Sequence, residues 1–329
     1  MSNRRLKVAL LAGGNSSERE IALRSASQIA SALDSTKYEL YIIDLCGRNM
    51  TYTAEDGTRY EVDKNDFSLT IADRHICFEF ALIIIHGTPG EDGKLQGYLD
   101  IMGIPYSSCS QTSSTITFDK ISTKRAVAGC GVNLAKDILL MRGDKVSVDD
   151  VVARLGLPLF VKPNASGSSF GVTRVTAVEQ FDAAVEAAFA ESDEVLIEEC
   201  IVGREMACGV LITSDRELLL PITEVVSKRD FFDYEAKYTE GLSDEITPAP
   251  IDDDIRQRLN RMTLAAYRAC RCSGIVRIDF IVTEEGEPYL IEINSIPGMS
   301  SGSIVPKQAR AAGISLGELY DLVIADKMA

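Results

Sequence analysis

The chain has 329 residues, 46% hydrophobic and 25% charged, an ordinary globular composition whose length predicts two or three domains. Its 34 basic and 49 acidic residues leave a formal charge of -15, which excludes the broad positive surface that nucleic acid or an anionic membrane requires. A small anion remains open to it, since a few local cations can outvote the global field.

No apolar run approaches the roughly 20 residues of a membrane span. Arg4, Arg5 and Lys7 precede an apolar run of only Val8 to Ala12, too short for a signal peptide, so a soluble, cytoplasmic protein is predicted. The eight cysteines are scattered without a CxxC pair and read as reduced thiols. With only His75 and His86 present, a histidine-based zinc site is not expected.

In chain order, KVALLAGG predicts a strand, followed by a helix from near Ser17 whose Ser17-x-x-Glu20 fits a capping box. Ala22, Ala26, Ile29 and Leu33 recur at helical spacing. YELYIIDL is a second strand, and FALIIIHG has the continuous apolar character of a parallel strand buried on both faces. GKLQGYLDIMG reads as a helix closing near Gly103, with IPYSS a short strand after it. The pattern predicts an open α/β domain over 1–110 with ligands at the carboxyl ends of its strands.

A second domain over 111–200 is predicted to hold the helix TFDKISTKRAVAGCG, strand LFVKP, a glycine- and serine-rich loop, strand GVTRV, helix VEQFDAAVEAAFA and strand EVLIEEC. A third, 201–329, opens with strands REMACGVLI and ELLLPITEVV and the polar loop DFFDYEAKYTEG. The helix IDDDIRQRLNRMTLAAYRAC places Ile255, Leu259, Met262 and Ala266 on one stripe. A hairpin, RIDFIV and YLIEIN around the turn TEEGEP, leads into the loop SIPGMSSGS and a final helix.

The hairpin carries the sharpest chemistry. With TEEGEP as the turn, Val282 pairs with Tyr289, Asp279 faces Glu292 and Arg277 faces Asn294. Alternation puts these four polar groups on one side of two otherwise apolar strands. Two carboxylates directly opposite destabilise a sheet unless something neutralises them. A hard divalent cation would, and two carboxylates plus an amide oxygen suit magnesium. The plainer alternatives are that Arg277 satisfies both acids, or that this face is simply solvated.

VKPNASGSSFGV places small residues where backbone N–H groups can approach an anion, with Lys162 at its start to add a point charge, unless it is only a hairpin tip. It is not a Walker A loop, and no strand–GxGxxG–helix fingerprint supports a nicotinamide cofactor. EVLIEECIVGRE offers a strand edge for an adenine and Glu205 for ribose hydroxyls, or an ordinary strand end.

Taken in order, LLAGGNSSERE, IIIHGTPGEDGKLQG, TFDKISTK, VKPNASGSSFG, EVLIEEC, DFFDYEAKY, GIVRIDF and YLIEINSIPGMSSGS resemble D-alanine–D-alanine ligases of the ATP-grasp superfamily, over about residues 6 to 325. The resemblance implies a three-domain α/β ligase whose central and C-terminal domains sandwich ATP. By motif position it implies Lys120 and Lys162 on the α- and β-phosphates and Lys237 on the γ-phosphate. Glu198, Glu205 and the backbone from Glu199 to Ile201 would hold adenine and ribose; relatives often carry lysine where this chain has Glu199. Asp279, Glu292 and Asn294 would bind two Mg2+ or Mn2+ ions.

The implied activity joins two D-alanines through an acylphosphate for peptidoglycan precursor synthesis, with Arg277 and the Gly298 N–H stabilising the oxyanion. Glu18, Ser168 and Tyr238 match the family's base network. Glu18, with His86 beside it, would hold the first substrate's ammonium; Ser303 and the Ile304 backbone would hold the second's carboxylate. Tyr238 favours an amine over a hydroxyl nucleophile, and a homodimer is implied. Outside the family reading, Glu18 could merely complement a helix dipole, Ser168 be a loop residue and Tyr238 a lid anchor.

Overall fold

The computed structural model describes residues 4–16, 18–165, 170–227 and 243–329. The first apolar run shows why its strand lies where it does. In β1 (Leu6–Gly13), Val8, Leu10 and Ala12 point into a core shared with Ala26 and Ile29 of helix α1 (Arg19–Ala32). Ala9 and Leu11 point into the opposite core with Leu95 and Leu99 of α2 (Lys94–Met102). A strand covered on both faces has no use for alternation, so its sequence is continuously apolar.

β1 pairs in parallel with β2 (Tyr38–Cys46) and β7 (Phe80–Ile83). Four antiparallel strands between those two extend the sheet to seven: β3 (Asn49–Thr53), β4 (Arg59–Asp63), β5 (Ser68–Ile71) and β6 (Arg74–Cys77). They were not among the predicted elements. IPYSS makes only one bridge, Tyr106 beside Ala81. Glu18 takes the N-cap position of α1 with no side-chain cap bond, and Ser17 of the expected capping box lies outside the described residues.

The second sheet is antiparallel, in the order β10-β9-β11-β8, from β8 (Asp137–Met141), β9 (Leu159–Pro163), β10 (Thr173–Val175) and β11 (Glu194–Glu199). Helices α5 (Val148–Leu155) and α6 (Phe181–Glu191) share its core. The predicted helix over 117–131 is instead two, α3 (Gln111–Phe118) and α4 (Lys120–Val127). Asp119 breaks it: its backbone is extended and its side chain accepts from Ser122 N–H at 2.7 Å. Such a cap starts a new helix and makes Lys120 its first residue.

The third sheet runs β15-β14-β12-β16-β17, with β13 (Glu217–Leu219) also on β12 (Arg204–Ile212). The others are β14 (Thr223–Ser227), β15 (Ser243–Ile246), β16 (Gly274–Val282) and β17 (Pro288–Asn294). Helix α7 (Asp253–Ala269) covers it with Leu259, Met262 and Ala266, capped by Asp252. The expected final helix is also two, α8 (Ile304–Ala311) and α9 (Leu316–Met328). Gly313 at φ 75° breaks the chain, and a Ser315–Glu318 capping box restarts it. No described helix is long and apolar enough to cross a membrane.

The hairpin register corrects one expectation and keeps two. Val282 lies opposite Pro288, and Ile281 opposite Tyr289, one residue off the predicted pairing. A bulge between Asp279 and Phe280 absorbs Ile291, and beyond it Asp279 faces Glu292 and Arg277 faces Asn294. Bulges of this kind re-aim side chains locally.

Phe280 is fully buried against this sheet's core. Phe280→Ala is expected to destabilise the protein by about 3–5 kcal/mol, read as a lower urea midpoint with an unchanged m-value.

Candidate active site

The two hairpin strands place their polar face on a cavity of about 740 Å³, lined by residues from the second and third sheets, from α1 and α4, and by His86 and Glu91 beyond β7. Asp279 is buried at 5% exposure. Arg277 grips it through Nε, at 2.9 and 3.1 Å from its two oxygens, and through Nη2 at 2.8 Å. Burial alone would push the guanidinium down, but Asp279, then Glu292 and Glu205, hold it firmly charged. Asn294 Nδ2 donates to Asp279 at 3.0 Å and to Glu292 at 3.4 Å. The plain role foreseen for Arg277, neutralising an acid of the hairpin, is therefore present in the fold.

A cationic cluster forms the next part of the site. Lys162 of β9 and Lys124 of α4 both meet the Glu198 carboxylate of β11, Lys124 at 2.5 Å. Lys124 also donates to Ala135 O and pairs with Asp137, each at 2.7 Å. Burial pushes Glu198 up, yet the two lysines outweigh it and hold its carboxyl below the usual carboxylate range. Asn164 joins this cluster to Lys120: its carbonyl accepts from Lys120 N–H at 3.1 Å and its Oδ1 from Ile121 N–H at 2.8 Å. Its Nδ2 donates to Asp119 at 2.7 Å. The VKPN segment thereby orients the first turn of α4.

The same cavity is lined by Glu18, His86, Glu91 and residues of the loop 295–303. His86 Nδ1 is 3.0 Å from Ile296 O, so this nitrogen carries the proton. Its Nε2 is buried without a hydrogen-bond partner among the described residues. Burial lowers the imidazole's proton affinity more than the Glu18 charge raises it, and the ring is neutral. The loop beyond β17 is fastened by Ser300 Oγ to Ser303 Oγ at 2.8 Å, and by Gln28 Nε2 donating to Ser301 Oγ at 3.2 Å. Ser303 is the N-cap residue of α8, whose first N–H groups can hold an anion. Gly298 must be small here, since a Cβ would come within 2.9 Å of Ser303 Oγ.

Of the residues singled out from sequence, Glu18, His86, Lys120, Glu198, Glu205, Arg277, Asp279, Glu292, Asn294, Gly298, Ser303 and Ile304 line the cavity. Lys162 reaches it through Glu198. Glu199 turns away, accepting from Lys136 N–H at 2.7 Å, and neither it nor Ile201 lines the cavity. Ser168, Lys237 and Tyr238 lie outside the described residues. Lys124 and Glu91 line the cavity without having been assigned roles, although each sits inside a quoted motif. What marks Lys124 is its position four residues after Lys120, one helical turn on the same face.

The donor set fits a hard cation. Among the described residues no group of three histidines, cysteines, aspartates or glutamates gathers. Asp279 and Glu292 nonetheless sit opposite each other with Asn294 beside them, an all-oxygen trio.

Two family models match the chain: "D-ala D-ala ligase N-terminus" over residues 7–109 and "D-ala D-ala ligase C-terminus" over 127–325. The D-alanine--D-alanine ligase of Phocaeicola vulgatus is 46% identical over 320 residues, covering 97% of this chain and 98% of that protein. The chain belongs to the D-alanine–D-alanine ligase family. Among solved structures, the VanG D-Ala:D-Ser ligase from Enterococcus faecalis superimposes with a TM-score of 0.89 at 31% identity, covering 98% of this chain and 99% of that one. The D-alanine–D-alanine ligase from Bacillus anthracis complexed with ATP gives 0.79 at 32% identity, covering 99% and 97%. The fold is therefore the ATP-grasp ligase fold of this family.

Glu198 offers a test of the cationic cluster. Its folded pKa is depressed, so its contribution is present above the ordinary carboxylate range and fades as pH falls through the folded value. Glu198→Gln takes from buried Lys162 its carboxylate and leaves Lys124 with Asp137 alone. It is expected to cost about 3–5 kcal/mol near neutral pH, with the gap to wild type narrowing in urea titrations at progressively lower pH.

Proposed function

We propose that the chain catalyses ATP-dependent ligation of two D-alanine molecules to D-alanyl-D-alanine through an acylphosphate, for peptidoglycan precursor synthesis. The observation that carries this reading is Arg277, half-buried and charged in the wall of one cavity that Lys120, Lys124, Glu18 and His86 also line, with Lys162 joined to it through Glu198. ATP would lie between the 111–200 and 201–329 domains, with Lys120 and Lys162 against its phosphates. Glu205 would hold ribose, and the backbone from Glu199 to Ile201 adenine. Glu198, occupied by Lys124 and Lys162, then acts by setting the lysines' positions.

The first D-alanine would bind with its ammonium at Glu18 and His86. Its carboxylate oxygen attacks the γ-phosphorus, ADP leaves, and a mixed anhydride remains. The second D-alanine's carboxylate sits at Ser303 and the α8 N-terminus, which aims its amine at the activated carbonyl. That amine must lose a proton before attack, and the carbonyl oxygen gains negative charge as the bond forms. Arg277 faces that charge with the Gly298 N–H, and expulsion of phosphate completes the peptide bond. Lys237 on the γ-phosphate, and Ser168 and Tyr238 in the base network, belong to the same reading.

Asp279, Glu292 and Asn294 are the residues that would hold two Mg2+ or Mn2+ ions, whose charge offsets that of the phosphates during transfer. The protein's part is to keep the trio pre-assembled through the Asn294 and Arg277 hydrogen bonds. The homodimer and the cytoplasmic location complete the proposal on family resemblance.

ADP release is expected to require D-alanine and a divalent cation, with D-alanyl-D-alanine identified chromatographically. EDTA should abolish turnover, and Mg2+ or Mn2+ restore it. Because a D-Ala:D-Ser ligase shares the fold, D-serine and D-lactate belong in the acceptor panel; a preference for either over D-alanine would reject the dipeptide assignment.

Arg277→Met is expected to lower kcat by about 10²–10³-fold, the usual loss for one oxyanion donor. A change confined to KM would place Arg277 outside the chemical step.

A further inference from the structure

Helix α1 meets the cavity at more than one level. Gln28, three turns into the helix, lines the wall, and the proposed reaction assigns it nothing. Both ends of its amide are engaged by a single residue. Gln28 Nε2 donates to Ser301 Oγ at 3.2 Å, and Gln28 Oε1 accepts the Ser301 N–H. Ser301 is 273 positions away in the chain, in the loop between β17 and α8. A planar amide that grips a hydroxyl and an N–H of one residue fixes direction as well as distance.

What Gln28 grips is a tight turn. Ser303 N–H donates to Ser300 O at 2.8 Å, which closes residues 300–303 with Ser301 and Gly302 at the corner. Ser300 Oγ and Ser303 Oγ are 2.8 Å apart, and Arg310 Nη2 donates to Ser301 O at 3.2 Å. Those three contacts lie within the loop and the helix that follows it. They set the shape of the turn but not its place relative to α1.

Two side chains of the 1–110 domain reach this loop by hydrogen bonds among the described residues. His86 meets it at Ile296, seven positions before Ser303, and Gln28 at Ser301, two positions before it. Between them in sequence, Met299 is buried in the core that Ala26 and Ile29 of α1 share. The fastening closest to Ser303 along the chain is therefore Gln28.

We propose that Gln28 is a positioning residue for the acceptor substrate: by holding Ser301 it keeps Ser303 and the N-terminus of α8 where they can take the second D-alanine's carboxylate. This inference rests on the proposed function, which puts that carboxylate at Ser303. Without the amide the turn keeps its shape but samples other positions over α1. The acceptor must then draw it back, so its apparent affinity falls by the fraction of turns already in place. Saturating acceptor restores that place, so the rate at saturation changes little.

The test is steady-state kinetics at saturating ATP, with the two D-alanine KM values fitted separately, for wild type, Gln28→Leu, Ser301→Ala and the double variant. Leu is as good a helix former as Gln and loses both hydrogen bonds; Ala at position 301 loses only the hydroxyl. Gln28→Leu should raise the second-site KM about five- to tenfold, the scale of a net hydrogen bond. First-site KM, kcat and melting temperature should stay near wild type. Ser301→Ala should raise the second-site KM about two- to threefold, and add nothing in the Gln28→Leu background.

An unchanged second-site KM in Gln28→Leu overturns the proposal. So does an equal rise in both KM values with a lower melting temperature, which would make Gln28 a fastening between domains and no more. Additive effects in the double variant overturn it as well, since the two side chains would then act separately. Wild-type protein that joins D-alanine only to a different acceptor overturns the dipeptide assignment alone, and the Gln28 effect is then expected on that acceptor's KM. Wild-type protein without ligase activity overturns both.

Discussion

Asp279 is a buried carboxylate facing a second one, Glu292, across a β-hairpin, and an arrangement like that survives only with compensation. Arg277 provides most of it through three short contacts, and Asn294 ties the two acids together. All of these side chains must emerge on the same face. Strand alternation delivers Arg277 and Asp279; the bulge at Asp279 and Phe280 delivers Glu292 and Asn294. Without that one-residue insertion, the pairing set at the turn would move both partners out of register. The bulge is thus a requirement of the site rather than an imperfection of the sheet.

The lysine cluster obeys the same rule with opposite sign. Lys124 and Lys162 are 9% and 8% exposed, and two ammonium groups cannot be buried together unpaired. Glu198 answers both, and Asp137 adds a second carboxylate for Lys124. This compensation spans three elements, α4, β9 and β11, so it locks helix to sheet as well as charge to charge. The proposed phosphate subsite is accordingly rigid before any nucleotide arrives, which reduces the ordering that binding must supply.

Much of this was legible in the sequence because it depends on short-range periodicity. Asp279 opposite Glu292 was reached by counting from a turn pairing one residue off, an offset that the bulge cancels, and the two-sided core around Val8 to Ala12 follows from an unbroken apolar run. Features set by a single competing interaction were less visible. Asp119 caps a new helix inside a pattern that looks helical throughout, and near the C-terminus Gly313 breaks the pattern before Ser315 caps the next helix. Strands β3 to β6 are short and polar on one side, which resembles loop more than sheet. Lys124 and Glu91 were in plain view, but their importance comes from partners distant in sequence: Glu198 is 74 residues from Lys124. Glu199 shows the converse, a residue in the right motif whose side chain is taken by Lys136.

A chain of charge -15 would repel a nucleotide triphosphate at long range. Salt removes most of that obstacle, since charges more than about 8 Å apart through solvent are largely screened at physiological ionic strength. Inside the cavity screening is weak, so the local order of charge decides what can bind. Lys120 and Lys124 line that cavity together with Arg277 and the carboxylates of Glu18, Glu91, Asp279 and Glu292. In the proposed reaction the lysines would meet a nucleotide's phosphates and Glu18 an amino acid's ammonium, leaving the amino acid's carboxylate to meet the phosphate beside Arg277. On that reading the local charges of the wall, rather than the sum over the surface, align the two reactants.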